Sequence, residues 1–293
     1  MNTLRIAKLT FREAIRRKAL YGAVALTVAF LALYAWGTGV AIQELNEEQA
    51  QLGGINRVAR QMGLDLRLVA VGELLLAGLY AVSNIAGLLA ILMGAGAISQ
   101  EVEQGTLQSI LAKPLARWQV IVGKWLGGSA MLAIYVAITS VLAAAIIYWR
   151  AGYLPVQLPI SIVLLILKAM LLFTLTLVGS TLAPMITAGI VMLIVYVVAN
   201  VTGMIEQVGA VIDSEVMVRI GVIASLIVPS DALWKMGAAL AQPPNPLPAL
   251  GLNLTLGPFS VLNPPSVWMG IYGLAYTLVA LGLSVLIFSR RDL

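Results

Sequence analysis

Long stretches of this chain carry no charged side chain, among them residues 19–43, 74–100, 125–149 and 169–205. A helix needs about 20 apolar residues to cross a bilayer, so each of the first three stretches holds one crossing. The segment from Pro159 to Gly203 holds two, with a turn near Ser180–Pro184, and Ser266–Phe288 holds a sixth. The predicted spans are 19–42, 70–98, 120–148, 159–182, 184–203 and 266–288, within one domain covering 1–293. Abundant Leu and Ala, with little strict alternation, argue against a transmembrane β-barrel. The expected fold class is all-α: a polytopic membrane protein with six transmembrane helices.

Composition narrows the chemistry. Sixty per cent of the residues are apolar, only 11% are charged, and the mean hydropathy is +0.97. A soluble domain carries about a quarter charged residues, so this chain needs lipid around much of its surface. There is no cysteine and no histidine. Disulfides, thiol catalysis, thiolate or imidazole metal sites and Ser-His dyads are therefore closed to it. No catalytic residue and no metal ligand set is expected; transport, channel formation or scaffolding remain. The first apolar run is longer than the roughly 7–15 residues of a cleavable signal core, so it reads as a retained anchor.

The basic residues set an expected orientation. With the amino terminus cytoplasmic, the inner segments hold Arg5, Lys8, Arg12, Arg16, Arg17, Lys18, Lys113, Arg117, Lys124, Arg290 and Arg291. The outer segments hold Arg57, Arg60, Arg67, Arg150, Arg219 and Lys235. The positive-inside rule favours this arrangement, with both termini cytoplasmic. The net charge of +5 points to anionic lipid as partner and requires no nucleic acid.

Residues 2–18 read as an amphipathic interfacial helix. Leu4, Ala7, Phe11 and Ile15 form one stripe and Arg5, Lys8, Arg12 and Arg16 another, so the helix is expected flat on the inner leaflet, apolar stripe down. On the outer side, residues 44–68 are polar. In the outer segment 204–265, Ile220–Val228 is apolar but too short to span, which suits a re-entrant or interfacial helix. Pro229 stops it, and Ser230 is placed to cap a short helix through Leu240, before Pro243, Pro244, Pro246 and Pro248 break the chain.

The segment between the second and third spans is the most informative. Glu101 and Glu103 leave the membrane, and Gly105 permits a change of direction. Thr106 can cap a short helix through Leu111, and Pro114 ends it. Arg117 and Lys124 follow, seven residues apart on one helical face. The expected result is a braced cytoplasmic helix that presents Leu107, Ile110 and Leu111 as a docking knob. An ordinary cytoplasmic hairpin is the alternative reading.

The pattern of Glu103, Gly105-Thr106, Leu111, Pro114, Arg117 and Gly123-Lys124 resembles that of the ABC-2 type permeases, the membrane subunits of many ATP-binding-cassette exporters. The amphipathic amino-terminal helix, the Ser180–Pro184 turn and the carboxyl-terminal Phe288-Ser-Arg-Arg-Asp-Leu293 agree. The resemblance covers essentially the whole chain. It implies that residues 106–112 form the coupling helix that sits in a cleft of a cytoplasmic ABC ATPase. It also implies two ATPase copies, a second permease copy or paralogue, and the plasma (inner) membrane of a prokaryote as location. The sequence holds no G-x-x-x-x-G-K-[ST] stretch, so ATP and Mg are expected in the partner and no cofactor in this chain.

Within the spans, Lys168 lies roughly 14 Å deep. A lysine there either lines a translocation path, snorkels to the surface, or forms a buried pair, with Glu73 the nearest acid in depth. Asn84 and Asn200 are further path candidates, although helix–helix hydrogen bonding is their commoner role. A second functional class stays open: a scaffold or force-transmitting subunit of an assembly complex, with an extracytoplasmic protein docked at 204–265.

Overall fold

The computed structural model describes residues 3–16, 18–51, 65–103, 116–244 and 257–290. Its elements are helices α1 (Thr3–Arg16), α2 (Lys18–Gln51), α3 (Leu66–Ala95), α4 (Ser99–Glu103) and α5 (Arg117–Ala151). They continue with α6 (Leu158–Leu182), α7 (Met185–Val211), α8 (Glu215–Ile227), α9 (Ser230–Ala241) and α10 (Val267–Arg290). No strand occurs among the described residues. Among the described residues, six helices are long and apolar enough to cross a bilayer: α2, α3 with its extension α4, α5, α6, α7 and α10. The chain is a polytopic all-α membrane protein.

Helices α3 and α6 form the centre of the bundle. Leu75, Leu76, Leu79, Leu171 and Leu172 are completely buried there. The remaining spans pack around this pair, and their outward residues (Ile190, Ile194, Val197 and Val198 on α7, Leu278 and Val279 on α10) stay exposed to lipid. Helix α2 is the most peripheral span. It buries only a narrow stripe including Thr27, Tyr34, Thr38 and Ile42. Tyr34 fixes it by donating to the Leu74 carbonyl at 2.8 Å, its ring lying over Gly78. Four buried threonines satisfy their hydroxyls one turn back: Thr38, Thr139, Thr174 and Thr176 each donate to the carbonyl four residues earlier.

Helix α1 lies against the first half of α5, with Leu4 and Ile15 of the expected stripe turned away from the protein. The residues turned to protein are Ile6 and Ala14, with Thr3, Ala7 and Thr10 beside them, whereas Leu4 is 75% exposed. Glycine makes the crossing possible. A Cβ at Gly127 would meet the Ala7 carbonyl oxygen at 2.5 Å, and one at Gly123 would meet Ile6 at 2.7 Å. Small residues face the protein because backbone must approach backbone. Leu4 and Ile15 are left on the outer side.

The chain reverses between α6 and α7 at Ala183 and Pro184, where a turn was expected. Beyond α7, α8 and α9 form a pair bent by 108° at Val228 and Pro229. Helix α8 contains the short apolar run anticipated from the sequence, but the cap of α9 differs. Ser230 is the first residue of α9, and its hydroxyl is buried without a hydrogen-bond partner. Instead the end of α8 is tied down from α10, where Tyr272 and Tyr276 donate to the Leu226 and Ile227 carbonyls at 2.6 and 2.8 Å. Those carbonyls are orphaned because the helix stops at proline.

Candidate functional site

Two polar clusters interrupt the apolar bundle, one near the end that carries α1 and one in the opposite half. At the α1 end, Lys124 on α5 is almost fully buried. Its Nζ lies 2.5 Å from Glu101 Oε1 on α4 and donates to the Ala97 carbonyl at 2.6 Å. Glu103 Oε1 accepts from the backbone N–H of Met185 at 3.0 Å. That N–H is one of the free donors at the start of α7, and Pro184 supplies no side-chain cap. Arg117 Nη1 donates to the Ser289 carbonyl on α10 at 3.2 Å. Below this layer Phe288 is fully buried against Ala97, Ile98, Ile121 and Leu177. Thus Glu101, Glu103, Arg117 and Lys124 link the flanks of segment 104–115 to each other and to α7 and α10. Gly105, Thr106, Leu107, Ile110, Leu111 and Pro114 lie outside the described residues.

In the opposite half, Lys168 on α6 is 1% exposed. Its Nζ donates to Ser83 Oγ on α3 at 2.9 Å and stands 5.6 Å and 5.9 Å from the ring centres of Tyr196 and Trp234. Both rings are within cation–π range. The carboxylate that acts on Lys168 electrostatically is Asp231 of α9. Asp231 also pairs with Lys235 one turn on, at 2.8 Å, and Lys235 pairs with Glu206 of α7, again at 2.8 Å. Two ammonium groups and two carboxylates therefore share one buried region drawn from α6, α7 and α9. Their charges cancel, which is the condition for holding ions at this depth.

Glycines make the room. The Asp231 carboxyl occupies the space a side chain at Gly203 would need, and the Glu206 side chain lies over Gly221 of α8. A cavity of about 30 Å³ beside Glu206 and Lys235, bordered also by Gln207 and Asn263, has space for one water molecule.

Lys168, Asn84 and Asn200 come together around Tyr196. The Tyr196 hydroxyl donates to Asn84 Oδ1 at 2.8 Å, and Asn200 Nδ2 donates to the Tyr196 carbonyl at 2.9 Å. Both asparagines are engaged in helix–helix or intrahelical bonds. Lys168 does not snorkel. Glu73 is not its partner; that carboxylate accepts from the Phe259 N–H at 3.0 Å. Lys235, expected among the outer loop cations, is 1% exposed. Sequence reasoning missed Glu206, Asp231 and Lys235 as site residues because they fall outside the charge-free runs. The one local signal was the i,i+4 spacing of Asp231 and Lys235 in a helix that follows an apolar run.

The two limbs of the bent pair belong to different neighbours. Helix α8 packs along α7, where Gly209 receives Met217 and Val218. Helix α9 packs along α6, where Ser161 Oγ donates to the Gly237 carbonyl at 2.8 Å. The Glu206–Lys235 pair bridges the seam between these two halves.

A family model described as "ABC-2 family transporter protein" matches residues 4–293. No curated protein matches the chain significantly.

Proposed function

The chain belongs to the ABC-2 transporter family, and on that premise we propose that it is the membrane-spanning permease subunit of an ATP-driven exporter. ATP and Mg are bound by a separate cytoplasmic ABC ATPase, present in two copies, and the permease pairs with a second copy or a paralogue. Segment 106–112 is the coupling helix, on the cytoplasmic side with both termini, in the plasma membrane of a prokaryote. The observation that carries this reading is the bracing at the base of that segment. The buried Glu101–Lys124 pair holds its two flanks together, and Glu103 caps α7. A push on the segment is therefore delivered to α4, α5 and α7 as a unit rather than absorbed by a slack loop.

The opposite cluster supports the same reading. An exporter must part its helices on the outer side to release substrate. The seam between α7–α8 and α6–α9 is crossed by the Glu206–Lys235 pair, whose separation leaves Lys235 still paired with Asp231 on its own helix. Glu206 is then left beside the cavity that can take up water. Lys168 lies at this seam and is the residue best placed to meet an anionic group on the path. Burial of α9 within the bundle favours this over a platform for an extracytoplasmic protein.

The test is to make Leu107→Asp and Leu111→Asp separately and to measure ATPase co-purification and transport. Burying one leucine is worth roughly 1.5–3 kcal/mol, so each change should weaken docking by tenfold or more. Normal transport in both variants would show that the coupling surface lies elsewhere.

A further inference from the structure

The inner half of α2 does not close onto α5, and the gap between them has a definite shape. It is lined by Leu20, Val24 and Val28 of α2 and by Ile134, Ile138 and Leu142 of α5. Phe11 and Ile15 of α1 border it at one end, and the Thr27–Tyr135 hydroxyl pair lies along its wall. The lining runs from Leu20 to Leu31 on α2 and from Met131 to Leu142 on α5, in each case about 16 Å at helical rise. The groove holds about 310 Å³ over that length between two apolar walls, a shape that suits an extended hydrocarbon chain.

The charge at its α1 end identifies the kind of molecule. Arg12 and Arg16 neighbour the two α1 residues that border the groove, Lys18 opens α2, and all three are exposed. Glu13, the acid between them, borders a different cavity with Lys124 and Phe173. Two other apolar grooves, between α3 and α7 and between α6, α9 and α10, are of similar size but neither is bordered by the basic helix. We infer that an anionic phospholipid of the leaflet at the α1 end seats one acyl chain between α2 and α5, with its headgroup held by Arg12, Arg16 and Lys18. The lipid supplies contacts that α2 lacks and joins α1, α2 and α5 into one packed unit. This inference concerns the membrane-embedded chain alone and does not depend on the exporter reading.

The experiment uses the purified chain in phosphatidylethanolamine vesicles doped with phosphatidylglycerol that carries a diazirine in one acyl chain. After illumination, adducts are mapped by mass spectrometry. They should concentrate within 20–31 and 131–142, at least fivefold above the lipid-facing Leu278 and Val279 of α10. Val24→Trp, or Ile138→Phe from the opposite wall, fills the groove and should lower these adducts at least fivefold while those on α10 persist. The same diazirine on phosphatidylcholine should label the groove at least threefold less, and Arg12→Gln with Arg16→Gln should remove that preference. Adducts spread evenly over all exposed helices would overturn the site. Equal labelling by both lipids would overturn the anionic headgroup. Efficient cross-linking of a Val24→Cys variant between copies, with no lipid adducts, would assign the groove to a second protomer.

Discussion

Removing Lys235 alone should cost more than removing it together with Glu206. The side chain is 2% exposed, and its Nζ lies 2.8 Å from both Glu206 and Asp231. In the native cluster Lys168 and Lys235 balance Glu206 and Asp231. Lys235→Met leaves two carboxylates against one ammonium in a region with little water. Breaking a buried pair from one side costs about 3–5 kcal/mol. At about 2 °C per kcal/mol for a chain of this size, the melting temperature should fall by about 6–10 °C. Lys235→Met with Glu206→Gln restores a balance of one to one, between Lys168 and Asp231. It should recover at least about 2 kcal/mol of the loss, a coupling that a double-mutant cycle reads directly. The assay is thermal unfolding of the detergent-purified chain, followed by the fluorescence of its six tryptophans. A loss under about 1 kcal/mol for Lys235→Met, or simple additivity in the double variant, would refute the claim that these charges form one compensated unit.

Lys168→Met should reduce transport at least tenfold or weaken assembly, since it removes the buried ammonium held by Ser83, Tyr196 and Trp234; unchanged transport and assembly would remove Lys168 from the path. Gly127→Leu places atoms where the Ala7 carbonyl and Phe11 backbone N–H lie, so α1 should lift from α5 at a cost of about 1–3 kcal/mol. Trypsin cleavage after Arg12 should then rise several-fold, and unchanged cleavage would show that α1 is held by something other than this crossing. A cysteine at Gln49 should react with an impermeant thiol reagent from outside the cell and one at Gln108 should not. The reverse pattern would invert the orientation.

The spans were legible because lipid imposes one requirement on every residue that crosses it. A charge-free run of 25 residues has almost no other stable home, whatever its neighbours. The turn at Ala183 and Pro184 and the stop at Pro229 were legible for the same kind of reason, since proline lacks the N–H that a continuing helix needs. The flank residues Glu101, Glu103, Arg117 and Lys124 stood out by type and spacing, but which carbonyl, carboxylate or N–H each one meets was not written in the chain order. The sequence marked Leu4 and Ile15 as an apolar stripe on α1, but only the glycines on α5 decide which other residues of α1 can approach the protein. Lys168 announced itself as a lone cation in an apolar run. Its counter-charge came from Asp231, 63 positions later in a short helix read as part of the outer segment. Hydrophobicity and backbone chemistry act locally and can be read from a window of residues, so the sequence alone determined the class of fold, the spans and the positions of the breaks. Charge compensation at depth depends on which helices meet, so only the tertiary structure brought Lys168, Asp231, Lys235 and Glu206 into one cluster.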